Sequence, residues 1–246
     1  MIDRPPDGSL MVIVPAYNEA GAVGTVVCEI QRVVPKIPVV VIDDCSLDST
    51  IDVAEAAGAR VLPLPHHLGL GGCVQAGYKL AFELGYDYVI RVDADGQHDP
   101  RYIPDLLAEL RRTGVEMVIG SRFVAANGNS TTFLRTIGIR FFRAILRPIL
   151  GHTVYDPTSG YIGVNRKALE VFSRSFPLEY PEIEALVVLR RKDFRFSEVA
   201  CKMRKRMAGR SSLTGSRSLS YIVHVLLGVF VNVLKIERPP WRGRRD

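Results

Sequence analysis

Short β-branched runs alternate along this chain with longer stretches of helical period. Leu10-Met11-Val12-Ile13-Val14 is the first such run, a buried strand predicted to end at Pro15. The loop Pro15-Ala16-Tyr17-Asn18-Glu19 then leads into a helix to about Val34. Val39-Val40-Val41-Ile42 predicts a second strand. The polar loop from Asp43 to Thr50 opens a helix to Ala57, with Gly58 as its C-cap. Arg60 to Leu64 reads as a third strand, Gly69 to Leu84 as a helix, and Tyr86 to Val92 as a fourth strand. Pro100 to Arg112 predicts a helix, and Glu116 to Gly120 a strand. Residues 124–132 are a loop by composition. Further strands are predicted at Tyr161–Val164 and Arg195–Ala200, with helices near Arg166–Phe172 and from Tyr180 onward.

Strand and helix in turn, with short connections, imply an α/β domain with a mostly parallel sheet and right-handed crossovers. Such sheets bind ligands outside the carboxyl ends of their strands. The loops Pro15–Glu19, Asp43–Thr50 and Asp93–Asp99 all leave carboxyl ends, so they are expected to converge on one crevice. The third of these is the most unusual stretch of the chain, Asp93-Ala94-Asp95-Gly96-Gln97-His98-Asp99-Pro100. Asp99-Pro100 is explained as a helix N-cap and first helical residue. Asp93 and Asp95 precede that cap and repel each other unless a cation or donor stands between them. Their oxygens, with that of Gln97, suit a hard ion such as Mg²⁺ or Mn²⁺ that also holds phosphates.

The 246 residues suffice for one such domain, and 47% apolar content is ample for its core. The formal charge of +6 is uneven. Residues 201–217 hold Lys202, Arg204, Lys205, Arg206, Arg210 and Arg217 without an acid. A basic C-terminal third points to an anionic partner. No zinc spacing or aromatic RNA-binding motif accompanies it, so nucleic acid is not expected. Cys28, Cys45, Cys73 and Cys201 form no CxxC pair and read as free thiols. The first residues carry no apolar signal region, and a cytoplasmic location is expected.

Two apolar stretches bear on membranes. Phe133 to Leu150 reads as a helix mixing Arg135, Arg140, Arg143 and Arg147 with bulky apolar residues. It suits either a membrane surface or a core-packed helix with snorkelling arginines. Leu219 to Ile236 is apolar but interrupted by Ser220, His224, Asn232 and Lys235. It is expected to be interfacial, re-entrant or an oligomer contact rather than a true span.

Five motifs stand in order: Val14 to Glu19, Ile42 to Thr50, Asp93 to Gln97, Gly120-Ser121-Arg122, and Asp156-Pro157-Thr158-Ser159-Gly160. Together they resemble the inverting GT-A glycosyltransferases of the dolichyl-phosphate mannose synthase type. The resemblance covers residues 9–212, a GT-A domain; residues 213–246 are left as a membrane-associating or oligomerising helix and basic tail. It implies that Pro15, Ala16, Tyr17, Glu19, Ile42 and Asp44 hold the nucleoside, Tyr17 by stacking and Asp44 by accepting base N–H bonds. It implies that Asp93 and Asp95, with Ala94 between them and Gln97 beyond, take Mg²⁺ or Mn²⁺ and the diphosphate. Arg122 would face the donor or acceptor phosphate, and Arg135, Arg206 and Ser211 the acceptor phosphate. Asp95, Arg122 and Arg206 are thus the expected catalytic residues.

The donor expected is GDP-mannose or UDP-glucose, and the acceptor a polyprenyl phosphate at the inner face of the membrane. That acceptor is already anionic and needs no general base, whereas a saccharide hydroxyl needs one. Asp156, Glu182 and Glu184 are the candidate bases in that second case, with first-turn helix acids the plainer account of the two glutamates. Two departures from the family pattern stand out. Pro65-His66-His67-Leu68-Gly69 lacks a lysine common in relatives; its histidines read as solvated loop residues, with contact to the nucleotide as the alternative. The chain also lacks the multiple spanning helices of some relatives. A nucleotidyltransferase would expect a glycine-rich basic loop after the first strand, where Pro15–Glu19 stands instead. A non-catalytic lipid-binding or scaffold role leaves the acidic set without a purpose.

Overall fold

A computed structural model describes residues 5–124, 143–151, 153–179 and 181–207. Seven strands form one sheet: β1 (Leu10–Ala16), β2 (Val39–Asp43), β3 (Arg60–Pro63), β4 (Tyr88–Arg91), β5 (Met117–Ser121), β6 (Ile162–Asn165) and β7 (Phe196–Ala200). Their order is β3-β2-β1-β4-β6-β5-β7. β6 runs antiparallel to both β4 and β5, and every other pairing is parallel. The mostly parallel sheet expected from the strand–helix alternation is therefore present.

The β-branched runs are continuous because both faces of the sheet are covered. Met11, Ile13, Val40 and Ile42 face one core with Tyr78, Phe172 and Leu186 from the helices Gly69–Glu83, Arg166–Arg174 and Pro181–Arg191. Leu10, Val12, Val14, Val39 and Val41 face the other, against Val26, Ile30, Leu106 and Leu110 of Val23–Val33 and Ile103–Thr113. The alternation has the strand period of two.

Pro15 does not end β1. It pairs in register with Ile42, and the strand runs on to Ala16. Ile13 accepts from Val92 N–H on the β4 side, and Ala16 accepts from Asp44 N–H on the β2 side. By that alternation Pro15 would donate toward β4, whose pairing with β1 stops at Ile13–Arg91, so the missing N–H breaks no ladder bond.

Residues 143–150 are helical, and Leu146 and Leu150 join the core. This part of the basic helix follows the core-packed alternative. Arg143 Nε donates to the Tyr155 carbonyl at 2.8 Å. The rest of the predicted helix, Arg135 included, and the stretch Leu219–Ile236 lie outside the described residues. Among the described residues no helix is long and apolar enough to cross a membrane.

Candidate active site

The three loops that leave β1, β2 and β4 do meet. The first two are joined by side chains that accept backbone N–H groups. Ser46 Oγ accepts from Asn18 N at 2.9 Å, Thr50 Oγ1 from Glu19 N at 2.9 Å, and Asn18 Oδ1 from Leu47 N at 2.8 Å. The turns need left-handed backbone at Asn18 (φ 54°) and Cys45 (φ 64°). Asn tolerates that region, and at both positions the tertiary hydrogen bonds hold it.

Tyr17 is 42% exposed and faces the His67 ring, with centroids 4.2 Å apart. His67 Nδ1 lies 2.9 Å from Asp44 Oδ2, and Leu68 N–H donates to Asp44 Oδ1 at 2.7 Å. His67 is a half-exposed loop histidine, as read from the sequence, but it is held by contacts. It forms a small wall with Tyr17, and its pairing with Asp44 is what sequence reasoning missed. Each Asp44 carboxylate oxygen thus already has one partner. The Ile42 side chain is fully buried in the core, so only its backbone is left to face the crevice. Pro15 and Ala16 are also buried within β1, so both shape the crevice floor by backbone.

At the acidic loop, Asp95 Oδ1 accepts from Gln97 N–H at 2.9 Å, an Asx turn. Gly96 takes φ 77°, and a Cβ there would lie 2.7 Å from Met207 Sδ. Ala94 is buried in the core. Asp99 caps the next helix, accepting from Arg101 N–H at 3.1 Å, as expected.

Each carboxylate of the pair meets a guanidinium. Arg91 Nε donates to Asp93 Oδ1 at 2.9 Å, and Arg206 Nη2 lies 2.9 Å from Asp95 Oδ2. Burial alone raises the Asp93 carboxyl, yet Arg91, with His98 and Arg206, holds it below its ordinary value. Arg206 also lies 3.5 Å from Glu19 Oε1. Burial raises Glu19, opposed by Arg206 and reinforced by Asp95. Arg206 gets there because residues 203–207 are not a free loop. Met203 bridges His98, Arg204 N–H donates to the Gln97 carbonyl at 2.8 Å, and Met207 N–H to the Asp95 carbonyl at 3.0 Å. The Arg204 side chain anchors the segment to Glu29 at 2.6 Å and Asp99 at 2.8 Å.

Arg122 is engaged by a carboxylate. It is 8% exposed and forks onto the fully buried Asp156, with Nε–Oδ2 at 2.7 Å and Nη2–Oδ1 at 2.6 Å. Thr158 Oγ1 accepts a further bond at 3.0 Å. A buried charge needs such pairing, and the arrangement braces the loop Asp156–Gly160. Glu182 is likewise not merely a first-turn acid, for its Oε1 accepts from Arg91 Nη1 at 2.9 Å. Ser211 lies outside the described residues, as Arg135 does.

Among the described residues no cluster of three acidic, His or Cys side chains is gathered as a metal site. The donor set still fits a hard divalent ion. The partner of Asp95 Oδ2 is itself a cation, and the buried Glu19 Oε2 beside it has no hydrogen-bond partner.

A parallel-rich sheet with acidic loops gathered at its carboxyl ends defines an α/β protein with its candidate site in that crevice. The family model described as "Glycosyl transferase family 2" matches residues 11–172, and the chain belongs to that family. It is 34% identical over 160 residues to the undecaprenyl-phosphate mannosyltransferase of Micrococcus luteus, covering 62% of this chain and 64% of that one. It is 28% identical to the polyprenol monophosphomannose synthase of Mycolicibacterium smegmatis, over 67% of this chain and 64% of that one. The chain therefore spans slightly less than two thirds of the length of these relatives. A UDP-N-acetylglucosamine–dolichyl-phosphate N-acetylglucosaminyltransferase from Methanococcus voltae is 28% identical over 80% of this chain and 86% of its own. In fold, the chain is similar to glucosyl-3-phosphoglycerate synthase from Mycobacterium tuberculosis, solved with Mn²⁺, UDP and phosphoglyceric acid. The TM-score is 0.70 at 21% identity, over 93% of this chain and 80% of that one.

Proposed function

We propose that this chain is a metal-dependent inverting glycosyltransferase that moves a hexose from a nucleoside-diphosphate sugar to a polyprenyl phosphate. The observation that carries the choice of acceptor is the state of the candidate bases. Asp156 is consumed by Arg122, Glu182 by Arg91, and Glu184 is buried with a partner of its own. A hydroxyl acceptor needs a base, whereas a phosphate arrives ionised. The names of the relatives support the same acceptor class, and the basic segment 201–207 supports an anionic one.

In this reading the nucleoside lies along Tyr17, His67 and Asp44, and the diphosphate at Asp93–Gln97. Mg²⁺ or Mn²⁺, held by Asp95 with Asp93 and Gln97, supplies charge neutralisation to the leaving diphosphate. The lipid phosphate oxygen forms the bond to the anomeric carbon from the opposite face as the bond to the diphosphate breaks. The transition state is oxocarbenium-like. Arg206, which pairs with Asp95 here, would be the residue that draws in the acceptor phosphate, with Arg135 and Ser211. GDP-mannose and UDP-glucose are the two donors proposed, and the inner face of the membrane is the place of action. Asp95→Ala, with its folding verified by circular dichroism, is expected to lose transfer by more than about a hundredfold. Full activity in that variant, or in excess chelator, contradicts the metal role.

A further inference from the structure

We propose that Arg91 is a positioning residue for the donor site, setting the Asp93 carboxylate through a buried ion-pair chain that ends at Glu182. This rests on the reading of Asp93–Gln97 as the metal-diphosphate loop. Arg91 is the largest fully buried side chain of the chain's described core, at 1% exposure. It lies at the end of β4, two residues before Asp93. Its Nε holds Asp93 Oδ1 and its Nη1 holds Glu182 Oε1, each at 2.9 Å. Glu182 belongs to the first turn of the helix Pro181–Arg191. One guanidinium therefore joins the acidic loop to a helix 91 residues away in sequence.

The surroundings leave Asp93 little freedom. A Cβ on Gly160 would lie 2.7 Å from Arg91 Nη2 and 2.9 Å from Asp93 Oδ2, so the Asp156–Gly160 loop packs backbone against the pair. From the other side His98 Nδ1 accepts the Asp93 N–H at 3.0 Å, and its ring stacks on Tyr161 at 4.7 Å. Asp93 and Glu182 carry two negative charges and Arg91 one positive, which leaves one net negative charge facing the site. Removing Arg91 alone leaves two partly buried carboxylates without their counter-ion. Removing Arg91 and Glu182 together, in favour of apolar side chains, cures the stranded Glu182 but leaves Asp93 unaimed. Groups that orient a metal ligand typically change metal affinity about 10- to 100-fold.

The test is calorimetric binding of GDP and of UDP at a series of Mn²⁺ concentrations, beside a thermal melt. The folded double variant Arg91→Met with Glu182→Met is expected to melt below the wild type, because Asp93 loses its close counter-ion, and to need about tenfold or more Mn²⁺ for the same nucleotide affinity. A folded double variant with a wild-type Mn²⁺ requirement overturns the proposal, because Arg91 would then serve packing alone. If the double variant does not fold, Glu182→Gln keeps the shape and removes one charge. A raised Mn²⁺ requirement in it supports the proposal, and an unchanged one overturns it. A wild-type chain that binds neither nucleotide in a Mn²⁺-dependent way overturns the donor-site reading itself, a result visible before any substitution is made.

Discussion

At the residue scale, charges here come in partnered sets, and their protonation follows. Asp99 is the clearest case. Burial works against its ionised form, but bonds from Arg101, and then Arg204, outweigh it and depress its carboxyl from 3.8 to about 2. A depressed carboxyl stabilises the fold above its unfolded value and loses that contribution as pH falls through the folded one. The window is therefore between about pH 4 and 2, and Asp99→Asn is expected to cost about 2 kcal/mol at neutral pH and nothing extra below pH 2. Chemical denaturation across that range measures both ends. His67 carries a different consequence. Since it packs at a tilt on Tyr17 and bonds Asp44, His67→Ala is expected to weaken nucleotide binding by about tenfold with little effect on the melt. Calorimetry with GDP and UDP checks this, and an unchanged affinity removes His67 from the nucleotide wall. The sequence displayed Asp99 openly, because an N-cap is a local signal. It hid His67, whose partners stand on two other loops.

At the scale of elements, strand–helix alternation was legible because each run carries its own period. Every predicted strand from Leu10 to Ala200 is present within a few residues. Pro15 was misjudged as a strand end, because the absence of a donor matters only on the side where a neighbour still pairs. The antiparallel β6 was not legible either, since direction is set by which strand it lies beside. The basic composition of the segment 203–207 gave no hint of the backbone contacts it makes with the acidic loop. The motif Gly120-Ser121-Arg122 likewise suggested a phosphate ligand, whereas Arg122 joins β5 to the Asp156–Gly160 loop. Arg122→Ala leaves Asp156 buried without its counter-ion and is expected to destabilise by about 3 kcal/mol or more. A lowered urea midpoint would show it; a stability equal to wild type would mean that the pair carries no structural weight.

At the scale of the whole molecule, one crevice collects the Tyr17–His67 wall from the first half of the chain and an arginine-bearing segment from the second. Arg206 lies between Asp95 and Glu19, where the two halves meet. The anionic donor and anionic acceptor of the proposed reaction repel each other, so cations must stand between them. The convergence of acidic loops followed from topology alone; the occupancy of Asp95 by Arg206 did not, because it depends on a tertiary crossing of distant residues. The most direct measurement of the central claim is a mass-spectrometric search for glycosyl lipid. The purified chain is given Mn²⁺ and GDP-mannose or UDP-glucose, with polyprenyl phosphate in one arm and a plain sugar acceptor in the other. The account predicts a hexosyl-phosphoryl-polyprenol product with at least one donor, lost in excess chelator, and no comparable product from the sugar. Equal transfer to the sugar, or lipid product formed undiminished in chelator, would contradict it.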